Sequence, residues 1–260
     1  MLGSFFSYTN IHALMVRYFM EYRQLAKVLL LGDVLERVIF FIAFGFGLGR
    51  AVNQIAGVDY MTFLAPGIAA GSGLFVMLAA TTYGAHNRYS SARIWQSWLA
   101  TPIKLQDLLF AEILFPSIRA LPSLLILYMV AYGFGAIPSV SGALLSIPIL
   151  LLANLVYGVI TLAMAGLLGR LLYFKYIQSL WIMPMYLFSG VFFNLDDAPV
   201  WLSAFAQIFP LTHVLEIVRP MVLGQNVELF DVLSRLCVLF IIFVIGFYFA
   251  FKFFKRRLFD

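Results

Sequence analysis

The chain has 260 residues, of which 63% are hydrophobic and 11% are charged. This composition excludes an ordinary soluble domain, which has about 45–50% apolar and about 25% charged residues. The length allows about six transmembrane helices of roughly 20 residues each, so we predict an all-α integral membrane protein with a single membrane domain. The net charge of +5 is interpreted as marking the cytoplasmic side of the membrane, and no nucleic-acid partner is expected.

Residues 1–28 have the pattern of an amphipathic helix, because apolar residues recur there at helical spacing and charged residues lie largely off that stripe. The stripe consists of Ile11, Leu14, Met15, Tyr18, Tyr22 and Leu25. We predict an N-terminal helix lying in the membrane interface, and the alternative is a helix packed on a soluble partner. No cleavable signal peptide is expected, because Arg17, Glu21, Arg23 and Lys27 interrupt the apolar residues.

Charge-free stretches define six predicted spans, because a charged side chain at the bilayer centre costs at least roughly 2.5–3.5 kcal/mol. The spans lie near residues 29–49, 60–82, 109–132, 143–168, 176–195 and 233–252. The first is the weakest, since it carries Asp33, Glu36 and Arg37 close to the interface. Asp33 and Arg37 are four residues apart, which allows them to pair on one helix face.

Two further apolar stretches precede the last span, and each is too short to cross the membrane. They cover Leu202–Phe209 and Leu211–Leu223, with Pro210 between them. We predict a re-entrant or interfacial helical pair that is broken at this proline.

The distribution of Lys and Arg predicts that both termini face the cytoplasm. The N-terminal segment, the loops 83–106 and 169–175 and the C-terminal tail hold most of the basic residues. These are Arg17, Arg23, Lys27, Arg88, Arg93, Lys104, Arg170, Lys175, Lys252, Lys255, Arg256 and Arg257. The alternate connections hold only Arg50 and Arg219, with Arg235 at a boundary.

The predicted cytoplasmic loop contains a short helix that ends before Thr101-Pro102, since a residue before proline is pushed out of the helical region. Ala92, Trp95, Trp98 and Leu99 form its apolar face. Two interpretations stay open on chemistry alone. The tryptophans either anchor in a groove of a cytoplasmic partner or belong to an interfacial belt at the lipid headgroups.

Other patterns argue against a nucleotide or metal site on this chain. No G-x-x-x-x-G-K-[ST] motif occurs, so a P-loop is not expected. Gly45 and Gly49, and likewise Gly67 and Gly71, are instead small residues four apart that allow close helix packing. The three histidines are scattered, and no metal site is predicted.

Two charged residues lie near the inner half of the third span. Glu112 and Arg119 are seven residues apart and share a helix face. Intramembrane charges are functional candidates, but snorkelling to the cytoplasmic interface is the favoured interpretation here.

Aromatic residues recur on the fifth and first spans. One continuous stripe is predicted on the fifth span by the helical spacing of Trp181, Met185, Phe188 and Phe192. On the first span, Phe40 and Phe44 are likewise spaced four residues apart. Helix packing and a path for sugar rings or acyl chains are both open interpretations.

The order of these motifs resembles the permease subunits of type-2 ATP-binding-cassette exporters, over nearly the whole chain. The resemblance rests on Leu30-Leu-Gly-Asp33, Phe46-Gly-Leu-Gly49, Tyr60-Met-Thr-Phe-Leu-Ala-Pro-Gly67, Arg93-Ile-Trp-Gln96, Thr101-Pro102, Leu187-Phe-Ser-Gly-Val-Phe192, Phe209-Pro-Leu-Thr-His213 and Arg219-Pro220. Within that family, the likeness is to permeases that export lipo-chito-oligosaccharide nodulation factors, with O-antigen and capsule permeases further off.

The resemblance implies a homodimer in the bacterial inner membrane, docked to two copies of a cytoplasmic ATPase subunit that carries ATP and magnesium. The chain itself would then hold no cofactor and catalyse no reaction. The resemblance makes Arg93, Trp95, Trp98 and Leu99 the ATPase-coupling residues. It makes Phe40, Phe44, Trp181, Met185, Phe188 and Phe192 candidates for the transport path or the dimer interface.

The expected cargo is an amphipathic glycolipid or lipid-linked saccharide. A drug or another lipid is the alternative within the family. An integral membrane enzyme is the alternative outside it, but it would need polar residues converging on one face, and the sequence offers few.

Overall fold

The computed structural model describes residues 6–52 and 54–259, which are almost entirely helical. A two-stranded antiparallel hairpin of Gln54–Ile55 and Val58–Asp59 follows the first helix. The helices are α1 Tyr8–Gly49, α2 Tyr60–Ser91, α3 Ile94–Leu99, α4 Leu105–Arg119, α5 Leu121–Gly133, α6 Val140–Leu168, α7 Phe174–Ile177, α8 Met183–Phe188, α9 Val200–Ala206, α10 Pro210–Leu223 and α11 Leu229–Phe259.

Four helical segments among the described residues are long and apolar enough to cross a membrane. They are α2, α4 with α5, α6 and α11. The pair α9 and α10 is bent by 96° and adds a fifth if it counts as one broken span. The prediction of an all-α membrane protein is confirmed. By length and composition the described residues contain four or five candidate spans, so the predicted number of six is not confirmed.

The other two predicted spans differ from these four for identifiable reasons. In α1 the charges of Asp33, Glu36 and Arg37 leave no apolar stretch of sufficient length. The predicted fifth span is short and irregular, because a π-helical turn at Gln178–Ile182 separates α7 from α8 and the helix ends at Phe188.

The predicted interfacial helix at 1–28 and the predicted first span at 29–49 belong to one continuous helix over the described residues. Helix α1 runs without a break for 42 residues from Tyr8, because no proline or glycine pair interrupts it; residues 1–5 lie outside the described part. Leu14 and Tyr18 of the predicted stripe are buried, and α1 packs on α4. Part of this stripe therefore packs against the chain itself, whereas Leu25 is exposed.

Helix α6 lies at the centre of the bundle and packs on α2, α4, α10 and α11. Hydroxyl groups join the helices in this core, since buried polar atoms need partners in a membrane. Thr81 and Thr161 are 2.6 Å apart, and Tyr128 and Ser146 are 2.9 Å apart.

Close packing explains the small residues of α2, as their spacing predicts. A methyl group on Gly67 would lie 2.8 Å from the Val191 carbonyl oxygen, and one on Gly71 would overlap the Tyr186 ring. The segment after α8 can therefore lie directly on α2.

Candidate functional site

The short loop helix α3 turns its apolar face toward the rest of the chain. Arg93 precedes it in the left-handed conformation, with a φ of 51°, and reverses the chain direction after α2. Trp95 is completely buried, and its ring centroid lies 5.0 Å from that of Phe254 and 5.8 Å from that of Tyr89. The Trp95 side chain is therefore not available to a partner or to lipid headgroups, contrary to both interpretations from the sequence.

The other coupling candidates are placed differently around α3. Trp98 and Leu99 are half-buried, and Trp98 packs edge-on against Tyr18 of α1 with ring centroids 5.6 Å apart. Arg93 and Ser97 are exposed. Gln96 is exposed as well, so the accessible surface of this helix is largely polar.

A buried ion pair joins the base of α2 to α4. Arg88 donates to both carboxylate oxygens of Glu112, with Nε at 3.1 Å from Oε1 and 3.3 Å from Oε2. The Tyr18 hydroxyl donates a further hydrogen bond to Oε2. The Glu112 side chain is inaccessible to solvent, so the snorkelling interpretation is wrong for this residue. Sequence reasoning missed Arg88 and Tyr18, because nothing in their spacing relates them to Glu112.

A second set of charges lies farther along α1. The Asp33 carboxylate is 3.4 Å from Arg119 of α4, so Glu112 and Arg119 have separate partners. Arg37 is buried and donates to the Ala120 carbonyl at 3.1 Å and to the Ser123 hydroxyl. These contacts replace the predicted pairing of Asp33 with Arg37: Asp33 pairs with Arg119, and Arg37 binds polar groups at the break between α4 and α5.

The predicted aromatic stripe does not form one face. The π-helical turn shifts the register, and the chain leaves the helix after Phe188 with a φ of +83° at Gly190. Trp181 contacts Phe209 and Phe188 contacts Phe205, with ring centroids 5.7 and 6.2 Å apart. Met185 is completely buried in the core.

The remaining candidates meet in one aromatic cluster between α1 and the end of α8. Phe40 and Phe44 stack with centroids 5.7 Å apart, and Phe44 lies 4.8 Å from Phe192. Tyr186, which sequence reasoning missed, lies 5.2 Å from Phe192. The first span and the predicted fifth span are therefore adjacent through aromatic contacts.

One arginine in the predicted re-entrant pair is held by apolar and backbone groups. The Arg219 guanidinium lies 3.8 Å from the Phe63 ring centroid and donates to the Gly190 carbonyl at 2.7 Å. It joins α10 to α2 and to the turn after α8. Sequence reasoning counted it only as a charge in an external connection.

These features define a multi-pass membrane protein whose loop helix α3 is joined to the long apolar helices by aromatic contacts. No group of three or more His, Cys, Asp or Glu suited to a metal ion occurs in residues 6–52 and 54–259. The profile of the family described as ABC-2 type transporter matches residues 9–223. The chain therefore belongs to the ABC-2 type transporter family. It is a permease subunit, and ATP hydrolysis resides on a separate cytoplasmic ATPase subunit.

The chain is also similar to curated proteins named Nodulation protein J. The protein from Rhizobium leguminosarum bv. trifolii is 30% identical over 248 residues, which are 93% of this chain and 91% of that protein. The protein from Sinorhizobium fredii is 30% identical over 227 residues, 85% of each chain. The protein from Bradyrhizobium diazoefficiens is 28% identical over 242 residues, 93% of this chain and 91% of that protein.

Proposed function

We propose that this permease moves an amphipathic glycolipid or lipid-linked saccharide outward across the bacterial inner membrane, driven by ATP. Two copies of the chain form the path, and two copies of the ATPase subunit dock on the cytoplasmic side. Both termini face the cytoplasm. ATP and magnesium bind the ATPase subunits, and the permease holds no cofactor.

The observation that carries this proposal is the aromatic cluster of Phe40, Phe44, Tyr186 and Phe192. It joins α1 to the end of α8, the two segments that the family resemblance assigns to the path. Aromatic rings offer flat apolar faces to sugar rings and acyl chains, and they hold their shape because they have few rotatable bonds. Such a surface suits a cargo that is both saccharide and lipid.

The name of the relatives supports a cargo of this class, because it refers to nodulation. Together with the resemblance to lipo-chito-oligosaccharide permeases, it favours a glycolipid over a drug or a simple lipid. The drug and the simple lipid remain the alternatives that the experiment must separate.

A six-span topology completes the proposal, with α1 and the segment Phe174–Phe188 as the first and fifth spans. The charges in α1 can lie within the membrane because they have partners there. Asp33 pairs with Arg119, and Arg37 donates to a carbonyl and a hydroxyl. Paired intramembrane charges that face the bundle are the tolerated kind. Helices α9 and α10 then form the re-entrant pair.

The test is transport by the permease reconstituted with its ATPase subunit in liposomes. A fluorescent lipo-oligosaccharide is the first cargo, and the same lipid without its saccharide is the second. Phe44→Ala should lower ATP-dependent movement of the first cargo several-fold while ATP hydrolysis persists. The matched control is Phe240→Ala on the exposed face of α11, at a side chain that is 60% exposed.

Two results would contradict the proposal. Unchanged transport by the Phe44→Ala variant would show that the aromatic cluster is not part of the transport path. Equal transport of the lipid with and without its saccharide would show that a glycolipid is not the preferred cargo.

A further inference from the structure

A cavity of about 190 Å³ lies between α1, the base of α2 and α4. It is separate from the aromatic cluster and shares no residue with it. Its lining combines charged groups with aromatic and aliphatic walls. The residues that matter for its chemistry are Glu21, Tyr22, Leu25, Arg88, Phe115 and Arg119.

Arg119 is the buried donor in this cavity. Its side chain is nine-tenths buried, and its one ion pair is the 3.4 Å contact from Nη1 to Asp33. The ring centroid of Tyr22 lies 5.9 Å from the guanidinium carbon. A guanidinium has five N–H donors, and the described residues supply no hydrogen-bond acceptor to the others. Because Arg119 lines the cavity, these donors are open to an anionic oxygen of a ligand.

The other arginine of the cavity is already neutralised. Arg88 donates hydrogen bonds to both carboxylate oxygens of Glu112, so this pair has no net charge. Glu21 is different, because its side chain is half-exposed and its single ion-pair contact, to Arg88, is long at 3.8 Å. The cavity thus offers the N–H donors of Arg119 that the 3.4 Å contact to Asp33 leaves without an acceptor, and one loosely paired anion, Glu21. A ligand that carries both a negative and a positive charge complements both of them.

The apolar lining indicates an amphipathic ligand. Leu25 lines the cavity and is 53% exposed. The outward face of α1 continues beyond it with Val28, Leu31 and Leu35, which are also exposed. Aliphatic side chains that face outward on a membrane helix contact acyl chains without a free-energy penalty, because both are apolar. A headgroup in the cavity could therefore continue into acyl chains lying along α1.

We propose that this cavity binds the headgroup of a zwitterionic glycerophospholipid of the ethanolamine class. The phosphate accepts hydrogen bonds from Arg119, since guanidinium and phosphate form strong charge-assisted hydrogen bonds. The ammonium group lies against Glu21, and the acyl chains follow Leu25 along α1. This lipid site is independent of the exported cargo.

The experiment measures lipid binding to the purified, delipidated chain in detergent by native mass spectrometry. The probes are dioctanoyl phosphatidylethanolamine, dioctanoyl phosphatidylglycerol and inorganic phosphate. The wild-type chain should bind the ethanolamine lipid roughly tenfold more tightly than the glycerol lipid, which is the effect of one charged hydrogen bond. Inorganic phosphate should bind much more weakly than either lipid, because it lacks the acyl chains.

The variants separate the two charges of the headgroup. Glu21→Gln should abolish the preference for ethanolamine and leave binding of the glycerol lipid unchanged. Arg119→Gln should weaken both lipids, and Arg119→Lys should restore part of the binding. Arg23→Gln is the matched control, since Arg23 is exposed on the same helix and does not line the cavity.

Several outcomes would overturn the proposal. A wild-type preference for the glycerol lipid would exclude a zwitterionic ligand. An unchanged preference in Glu21→Gln, a variant of a half-exposed side chain that should fold normally, would exclude the ammonium contact even if Arg119→Gln fails to fold. Inorganic phosphate binding as tightly as lipid would identify a soluble anion as the ligand.

Discussion

Arg88 and Glu112 form an ion pair that is buried between the C-terminal end of α2 and α4. The Tyr18 hydroxyl of α1 donates to the same carboxylate. Arg88 lies five residues before Arg93 at the start of the loop helix, and Trp98 of that helix packs on Tyr18. Together these contacts join the loop helix α3 to α1 and α4.

Removing only one of the two charges of this ion pair should destabilise the protein strongly. Glu112→Gln leaves the Arg88 guanidinium buried without its counter-charge, which costs about 3–5 kcal/mol for a buried pair. The double variant Arg88→Met with Glu112→Met should be less damaging, because no charge remains unpaired. Thermal unfolding in detergent measures both. A single variant as stable as wild type would show that the pair does not form.

The exposed ion pair between Arg235 and Glu216 is the matched control for that experiment. The two side chains are about one-third exposed and 2.8 Å apart. Glu216→Gln should cost less than about 1 kcal/mol, because water and salt screen exposed pairs.

Trp95→Ala should lower stability by about 3–5 kcal/mol, since it removes a fully buried indole and leaves a cavity. The same thermal unfolding measurement applies. Loss of ATPase capture by Trp95→Ala at unchanged stability would contradict the structural role and restore Trp95 as a partner contact.

Arg93→Glu should weaken capture of the ATPase subunit without lowering stability, because Arg93 is exposed at the start of α3. A pull-down of the ATPase subunit by the tagged permease measures the effect. The control is Arg256→Glu, an exposed basic residue near the end of α11. Equal capture by the two variants would show that α3 does not contact the ATPase through this residue.

Gly67→Ala should weaken the packing of the turn after α8 on α2. The added methyl group would lie 2.8 Å from the Val191 carbonyl oxygen, and backbone cannot move as easily as a side chain. Gly32→Ala is the control, because nothing lies within 4 Å of the corresponding position on α1, and alanine favours a helix over glycine by up to about 1 kcal/mol. The melting temperature should fall for the first variant and not for the second. A fall of similar size for both variants would show that the contact with Val191 is not the cause.

The sequence by itself determined the class of protein, the family and the principal apolar helices. Hydrophobicity and the absence of charge act locally, so a stretch such as 140–168 has to be a buried or membrane helix in any fold. The small residues Gly67 and Gly71 also predicted close packing, because a missing side chain permits approach whatever the neighbour is.

Only the tertiary structure decided the partners of the charges and aromatic residues. Glu112 pairs with Arg88, 24 residues away, and with Tyr18, 94 residues away, and no local pattern encodes such distances. Trp95 faces inward because α11 returns Phe254 to the same loop. The aromatic stripe divides at a π-helical turn and a glycine with positive φ, since contacts with α1 and α9 outweigh the regular period of an isolated helix.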